Sequence, residues 1–436
     1  MKSSFQVILI GVFIAAFIGA ILVFAGIINI GSSKSSGTVM GSVSVWGIYP
    51  DDVIQNYIDQ LNIENKDVSI IYQYKDGASI AQDLTSALAD GQQPDIVITN
   101  SEQFFTIKNR VYVIPFSTFP ERSYRDTYVD GASLFLSKEG VLAIPLLVDP
   151  LVVYYNKDLL AGQNYVVPPA TWTGLVQALP RFIKKDNRGV IVQTAIALGE
   201  PTNVTLFKEI LSTLFLQTGN SIVGTNTSSL GGYESVLLNA VEAGLEAPTI
   251  QALKFFTNFS NPTSELYSWT RSLPNSLDMF LSGRSAFYVG KASELFVIQT
   301  KNPNLNFDVT PMFQTDDAVR PVTYGSFSSL AIIKSTKNFS ATYVVAGQLT
   351  SPVFIEYLSK SASLPPVRRD LLLAQQTNPY VQVFFKAALS SFAWIDPNPV
   401  ATKTIFRDMI QGVSSGRVNA AQAIYEASRD LQSVVR

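Results

Sequence analysis

AIPLLVDPLVVYYNKDLLAGQNYVVPPATW, residues 143–172, joins two apolar runs, 143–148 and 151–155, through Asp149-Pro150. Continuous apolar runs of this length read as strands buried on both faces. The acid between them is expected at a break, where the chain leaves one sheet and enters another. A buried carboxylate there is costly unless paired or wet. A ligand site and a hinge hydrogen bond would each satisfy it.

The chain has 436 residues, room for two or three domains, with a net charge of −2. Charged residues make up 15%, against about 25% in an ordinary soluble protein. Without a basic field, nucleic-acid binding has little electrostatic support. The absences decide more. There is no histidine and no cysteine, which removes Ser-His-Asp and Cys-His catalysis, His- or Cys-ligated zinc, disulfides, iron–sulfur clusters and thiol redox chemistry. No cofactor is expected, and of metal sites only an oxygen-ligated calcium or magnesium site is left, for which the sequence has no EF-hand-like run. Asp186-Asn187-Arg188-Gly189 reads as a hairpin turn rather than a calcium loop. Gly412-Val413-Ser414-Ser415-Gly416 fits the nucleophile-elbow pattern, but it lies between two helices and no histidine can serve as its base.

The order of elements in the body points to an α/β fold. Residues 43–46 read as a strand ending at Gly47, 51–61 as a helix, 68–74 as a second strand, a helix through Ile80, Leu84 and Leu88, and 96–98 as a third strand. Strand–helix–strand with short connections means a parallel sheet, and such sheets bind ligands beyond the carboxyl ends of their strands. Those ends here are Trp46 to Tyr49 and Thr99 to Glu102. The middle third reads as helices at 172–185, 204–217, 235–244 and 249–259. Strands follow at 285–289, 307–309 and 330–333, and helices from Ser340 to the end. Asn419 and Gln422 suit a capping box on the final helix.

Val7 to Ile28 is an apolar run of 22 residues, about 33 Å as a helix, longer than a secretory core of about 7–15 residues. It reads as an N-terminal transmembrane anchor (1–30), followed by a Ser/Gly linker (31–42) that acts as a flexible tether. A cleavable signal is the alternative, with weak sites at Ala25-Gly26 and Gly31-Ser32.

Taken in order, several short patterns resemble the bacterial extracellular solute-binding proteins of the maltose-binding-protein type, which feed ABC importers. Besides 143–172, they are Pro94-Asp95-Ile96-Val97, the Met279-to-Phe287 stretch with Gly283 and Arg284, Tyr324-Gly325-Ser326 ahead of 330–333, and Pro365-Pro366 with Arg368. The resemblance covers about residues 43 to 434. It implies a two-lobed periplasmic-binding-protein-like (type II) fold, with lobe one from 43–148 plus 291–335 and lobe two from 149–290 plus 336–436. It also implies a monomeric, non-enzymatic protein, tethered outside the membrane, that hands a small solute to ABC permease subunits. Carbohydrate is the expected class, because aromatic faces, carboxylates and amides suit sugar rings and hydroxyls. Two departures stand out: Gly174 replaces the usual helix-start acid, leaving Thr171 to cap alone, and Gly290-Lys291 stands where many sugar binders carry an aromatic.

The candidate ligand-binding residues are Trp46, Tyr49, Asn100, Glu102, Asp149, Tyr155, Trp269, Tyr324 and Trp394. Glu102 follows the third strand, where the resembled family places a hydroxyl acceptor, and Asp149 marks the crossover. Trp46 is a stacking face at a strand end, and Trp269 and Trp394 are aromatics in irregular polar segments, where binding residues concentrate. Tyr154 and Tyr155 lie on opposite faces, so at most one of them meets a cleft. Trp172 reads as core. The rival readings are a membrane-tethered glycosidase using two carboxylates and a sensing module without a transporter.

Overall fold

The computed structural model describes residues 41–65, 67–225, 232–239 and 246–435. The expected anchor, most of the linker and part of the helix expected at 235–244 lie outside the described residues. Among the described residues no helix is long and apolar enough to cross a membrane.

The first layer follows the sequence pattern closely. Strand β1 (Gly41–Gly47), helix α1 (Asp51–Glu64), β2 (Val68–Tyr74), α2 (Ile80–Ala89), β3 (Ile96–Asn100) and α3 (Ser101–Ile107) come in that order. β1 pairs in parallel with both β2 and β3. Ile54, Ile58 and Leu61 form the buried stripe of α1, at the spacing of one helix face.

Strand β4 (Ile144–Asn156) runs unbroken through Asp149-Pro150, so the expected break between two sheets is absent. What changes there is the set of partners. Residues 144–150 pair with β7 (Thr323–Ile332). Beyond them, β4 pairs with β5 (Phe287–Lys291) from Leu151 and with β6 (Phe307–Pro311) from Val152. Proline has no N–H for the ladder, and Pro150 stands where one partner gives way to the next. The main path of the sheet is β5-β4-β7-β3-β1-β2.

The core changes at the same rung. Val148 packs with Trp46, Leu84, Phe104 and Phe135 in one hydrophobic core, and Leu151 packs with Phe182, Phe215, Phe256 and Phe287 in another. β7 makes the same passage: Phe327 belongs to the first core and Tyr324 to the second. Gly325, opposite Pro150, has no room for a side chain; a Cβ would lie 2.7 Å from both Val148 and Ser391. Ala393 and Ile395, just past β8 (Ser391–Phe392), touch both cores and make a third passage.

Helices α4 (Trp172–Phe182), α5 (Phe207–Gln217) and α6 (Pro248–Asn258) pack on the second core, together with α10 (Pro399–Ser414) and α11 (Ala420–Val434). Between them in sequence, α7 (Phe339–Gln348) and α8 (Pro352–Ala362) return to the first lobe, where Phe339 meets Tyr112 and Phe354 meets Tyr57. α9 (Pro379–Leu389) puts Phe385 and Ala388 into the first core. Ala292, Ile298, Phe307 and Val309, which the expected division gives to lobe one, pack against Val152 and Tyr154 of β4, and α7 and α8, which it gives to lobe two, meet Tyr112 and Tyr57.

Local signals behave as chemistry requires. Thr171 alone caps α4 by accepting from Gly174 N–H at 3.1 Å. Asp186 closes its hairpin by accepting from Arg188 and Val190 N–H, each at 2.9 Å. Asn419 caps α11, but the Gln422 side chain donates forward to Glu426, so only half of the capping box forms.

Candidate functional site

The passage between the two cores gathers charge on one face of the sheet. Asp149 on β4 lies opposite Ser326 on β7, and Leu151 lies opposite Lys291 on β5. Directly opposed residues of antiparallel strands point the same way, as do residues two apart on one strand. Asp149, Ser326, Tyr324 and Lys291 thus share a face at the point where the lobes meet.

Glu102 reaches this face from the first turn of α3. It accepts from Tyr324 Oη at 2.8 Å and from Ser326 Oγ at 2.7 Å. Asp149 accepts from Ser293 N–H at 3.0 Å and from Ser293 Oγ at 2.6 Å. Glu294 accepts from Lys291 N–H at 2.8 Å and from Tyr288 Oη at 3.0 Å. Glu209 stands one turn before Thr213 on α5, and Thr213 Oγ1 accepts from Tyr324 N–H at 3.1 Å, so Glu209 looks toward the same cluster.

Lys291 is the cation among these acids. Its side chain is half-buried. Among the described residues its ammonium makes no hydrogen bond, and no carboxylate comes within ion-pairing distance of it. Burial pulls its basicity down, but the fields of Glu102, Asp149, Glu209 and Glu294 outweigh that and hold it above the ordinary lysine value. The carboxylates respond unequally. Burial pushes Glu102 up, and the Lys291 charge with the Ser326 and Tyr324 hydroxyls more than cancels it, leaving Glu102 below the usual range. At Asp149 burial prevails over Lys291 and the Ser293 donors, and the carboxyl sits above the usual range. Glu294 is likewise raised by burial. Both Glu102 and Asp149 keep partial contact with solvent.

The two walls also touch directly. Lys108, at the end of α3, places its Nζ 3.7 Å from the centre of the Tyr233 ring, which packs against the second core. Burial lowers the Lys108 ammonium below its ordinary value. Two hollows lie elsewhere: one of about 280 Å³ beside Tyr112, Phe119, Tyr343 and Arg368, and one of about 470 Å³ beside Gln217, Gln314, Arg320 and Phe392.

The expected site residues separate cleanly. Glu102, Asp149 and Tyr324 come together as described. Tyr49 stands beside them, its hydroxyl bonded to Ser328 Oγ at 2.6 Å and its ring buried. Asn100 is occupied as the cap of α3, accepting from Gln103 N–H at 2.9 Å. Trp46 is 8% exposed, with Lys75 Nζ 4.1 Å from its ring centre, so no open stacking face remains. Trp269 is fully buried, and its indole N–H donates to Asn203 at 2.8 Å. Trp394 is buried against Phe406 and donates to Ser212 Oγ at 3.2 Å. Tyr155 lies past the passage on β4, beside Asp308 and Tyr380, with burial pushing its hydroxyl up to about 12. Trp269 and Tyr155 therefore pack into the second lobe, and Trp394, between Ala393 and Ile395 at the third passage, turns its ring into the second core. Trp172 is core as expected, and its indole donates to Gln217 at 2.7 Å. Sequence reasoning missed Ser293, Ser326, Glu209 and Tyr233, which only strand register and helix phase bring to the face.

The profile of the bacterial extracellular solute-binding protein family matches residues 49–350. The chain belongs to that family. No curated protein sequence matches the chain. Solved structures share the fold of this solute-binding protein. A cyclo/maltodextrin-binding protein complexed with maltotetraose superposes with a TM-score of 0.71 at 17% identity, covering 92% of this chain and 98% of that one. The cyclic alpha-maltosyl-1,6-maltose binding protein from Arthrobacter globiformis gives 0.72 at 15% identity, covering 90% and 98%. The maltose/maltodextrin-binding domain from Bdellovibrio bacteriovorus, bound to maltotriose, gives 0.64 at 13% identity, covering 90% and 99%. The two lobes of this solute-binding protein and the three passages between them form the frame on which the charged cluster sits.

Proposed function

We propose that this protein captures a carbohydrate in the gap between its lobes, at the face carrying Glu102, Asp149, Tyr324 and Lys291, and delivers it to an ABC permease. The observation that carries the reading is the convergence of these groups, from α3, β4, β7 and β5, at the rung where both cores meet. A solute there touches both lobes at once, so closure gains contacts that the open form lacks. Carboxylates, a phenol, serine hydroxyls and an ammonium offer the mixed donors and acceptors that sugar hydroxyls need. The family and the oligosaccharide complexes of its structural neighbours support the class. We assign Val7 to Ile28 as the tether that keeps the binding lobes on the extracytoplasmic side. No enzymatic step is proposed for the cluster.

The test is a thermal-shift screen of the full chain against neutral mono- and oligosaccharides, amino acids and peptides. A true solute raises the melting temperature progressively with its concentration. A saccharide that does so supports the reading; an amino acid or peptide that does so while every saccharide fails refutes the class.

A further inference from the structure

The hollow of about 280 Å³ beside Tyr112 and Arg368 is built by the first lobe. At its base Ile144 of β4 lies opposite Leu330 of β7. Ile144 stands five residues before Asp149, about 17 Å along an extended strand. The hollow and the charged cluster are therefore separate places. Aromatic rings make its walls: Tyr112, Phe119 and Tyr343, each half-buried, and the buried Tyr128. One side is a stripe of α7 formed by Tyr343, Gly347 and Thr350, at the spacing of a single helix face. A glycine inside a helix costs stability. At Gly347 a Cβ would meet nothing within 4 Å, so the space next to Tyr343 is open.

The polar groups around the hollow are few, and most are already used. Among the described residues Arg368 is the one charged side chain in the lining. Its Nε and Nη2 donate to Asp370 at 3.1 Å and 2.8 Å, so a carboxylate outside the wall balances its charge. The Thr350 hydroxyl donates to the Ala346 carbonyl at 2.8 Å. The Tyr112 and Tyr343 hydroxyls, by contrast, have no hydrogen-bond partner among the described residues. Burial, and then the nearby Tyr112, raise the Tyr343 hydroxyl above its ordinary value.

We propose that this hollow is a second binding site, for a small neutral aromatic compound carrying one hydroxyl or carbonyl group, occupied independently of the solute between the lobes. An apolar cavity of about 150 Å³ holds benzene, so the larger hollow takes one ring with a substituent. A flat ring meets the four aromatic side chains edge-on or offset, which adds to the gain from burial alone. Its substituent meets the unpaired tyrosine hydroxyls. An anionic ring must compete with Asp370 for Arg368 or bury its charge unpaired. An ammonium meets the guanidinium with no carboxylate in the wall. A sugar would turn most of its hydroxyls toward Ile144, Leu330 and the rings, which cannot satisfy them.

The experiment titrates the full chain with three seven-carbon probes: benzyl alcohol (a neutral ring), benzoate (an anionic ring) and cyclohexylmethanol (neutral, without an aromatic ring). Saturation-transfer NMR reads binding, and Gly347→Leu in the same preparation is the blank. A leucine there leans back over the preceding turn toward Tyr343 and fills the hollow; its melting temperature checks folding. The expected result is binding of benzyl alcohol in the high-micromolar to millimolar range, the scale open to so few atoms. Cyclohexylmethanol binds about twofold to tenfold more weakly, benzoate gives no transfer, and Gly347→Leu abolishes the benzyl alcohol signal. If the leucine variant fails to fold, Tyr343→Leu, which removes one ring and one free hydroxyl, carries the comparison and weakens benzyl alcohol severalfold. A benzyl alcohol signal absent from the wild type, or equal in a folded blank, overturns the site. Benzoate or cyclohexylmethanol binding as tightly as benzyl alcohol overturns the ligand class. Displacement of benzyl alcohol by a saccharide from the thermal-shift screen overturns the independence of the two sites. The carbohydrate reading stands or falls separately, on that screen.

Discussion

Replacing Glu102 by glutamine tests the electrostatics of the charged cluster without changing its shape. In the native protein the Glu102 carboxylate accepts from Tyr324 at 2.8 Å and Ser326 at 2.7 Å and lies in the field of Lys291. Hydrogen bonds to a charged acceptor contribute about 1.5–3 kcal/mol each and neutral ones about 0.5–1.5. The glutamine amide keeps one good acceptor oxygen and puts a donor in place of the other. The expected cost is ~2 kcal/mol at pH 7, or about 2–3 °C in Tm at an unfolding entropy of about 2.1 cal/mol/K per residue. The pH dependence has a definite sign. Glu102 is held below its ordinary range, so its folded pKa is lower than its unfolded value of about 4.3. Its contribution is complete above that unfolded value and disappears as pH falls through the folded pKa. Paired thermal melts of the wild type and Glu102→Gln between pH 7 and pH 2.5 should therefore converge at the acid end. Equal stability at pH 7, or a gap that persists undiminished at pH 2.5, refutes the assignment of Glu102 as a stabilising anion.

Other perturbations separate structural from binding roles. Lys208 pairs with the buried Asp396 and donates to Thr402 at 2.7 Å; Lys208→Met should cost about 3–5 kcal/mol by leaving that carboxylate unpaired, and adding Asp396→Leu should restore much of it in denaturant titrations. Trp269→Phe removes the 2.8 Å bond to Asn203 and should lower stability by about 1–3 kcal/mol while solute affinity by calorimetry stays unchanged. Lys108→Ala removes the cation over Tyr233, an interaction of about 0.5–2 kcal/mol; the ligand-free protein should become more open, read as a larger radius of gyration in solution scattering.

Much of the scaffold is visible in the sequence, and the reasons are local. β2 at Val68–Tyr74 follows from a run of β-branched and aromatic residues, and α1 from an apolar stripe at helical spacing. Glu102 and Tyr49 are reached by a topological argument, since the ends of parallel strands face the binding side of a sheet. Asp149-Pro150 is legible as a special point, but its meaning is not. The sequence suggests a broken strand, whereas the strand continues and its partners and core change. That distinction depends on β5, β6 and β7, which come 130 to 180 residues later in the chain. Trp269 and Trp394 mislead because a tryptophan in a polar segment looks exposed. Asn203 and Ser212, remote in sequence, supply the buried hydrogen-bond partners that let each indole enter the core. α7 and α8 carry no mark of their lobe; only the faces of Tyr57 and Tyr112, on the far side of the chain, decide it. Lys291 is noticeable as a departure from an aromatic, yet its role needs the register that sets it opposite Leu151, two residues from Asp149.

The most direct measurement is a crystal structure of the protein with maltotriose, or with whichever neutral sugar raises its melting temperature most. The account predicts the sugar between the lobes, within hydrogen-bonding distance of Lys291 and of at least one carboxylate from Glu102 and Asp149. A sugar seated in the hollow beside Tyr112 and Arg368 or beside Gln217 and Arg320, with the Lys291 cluster untouched, would contradict it.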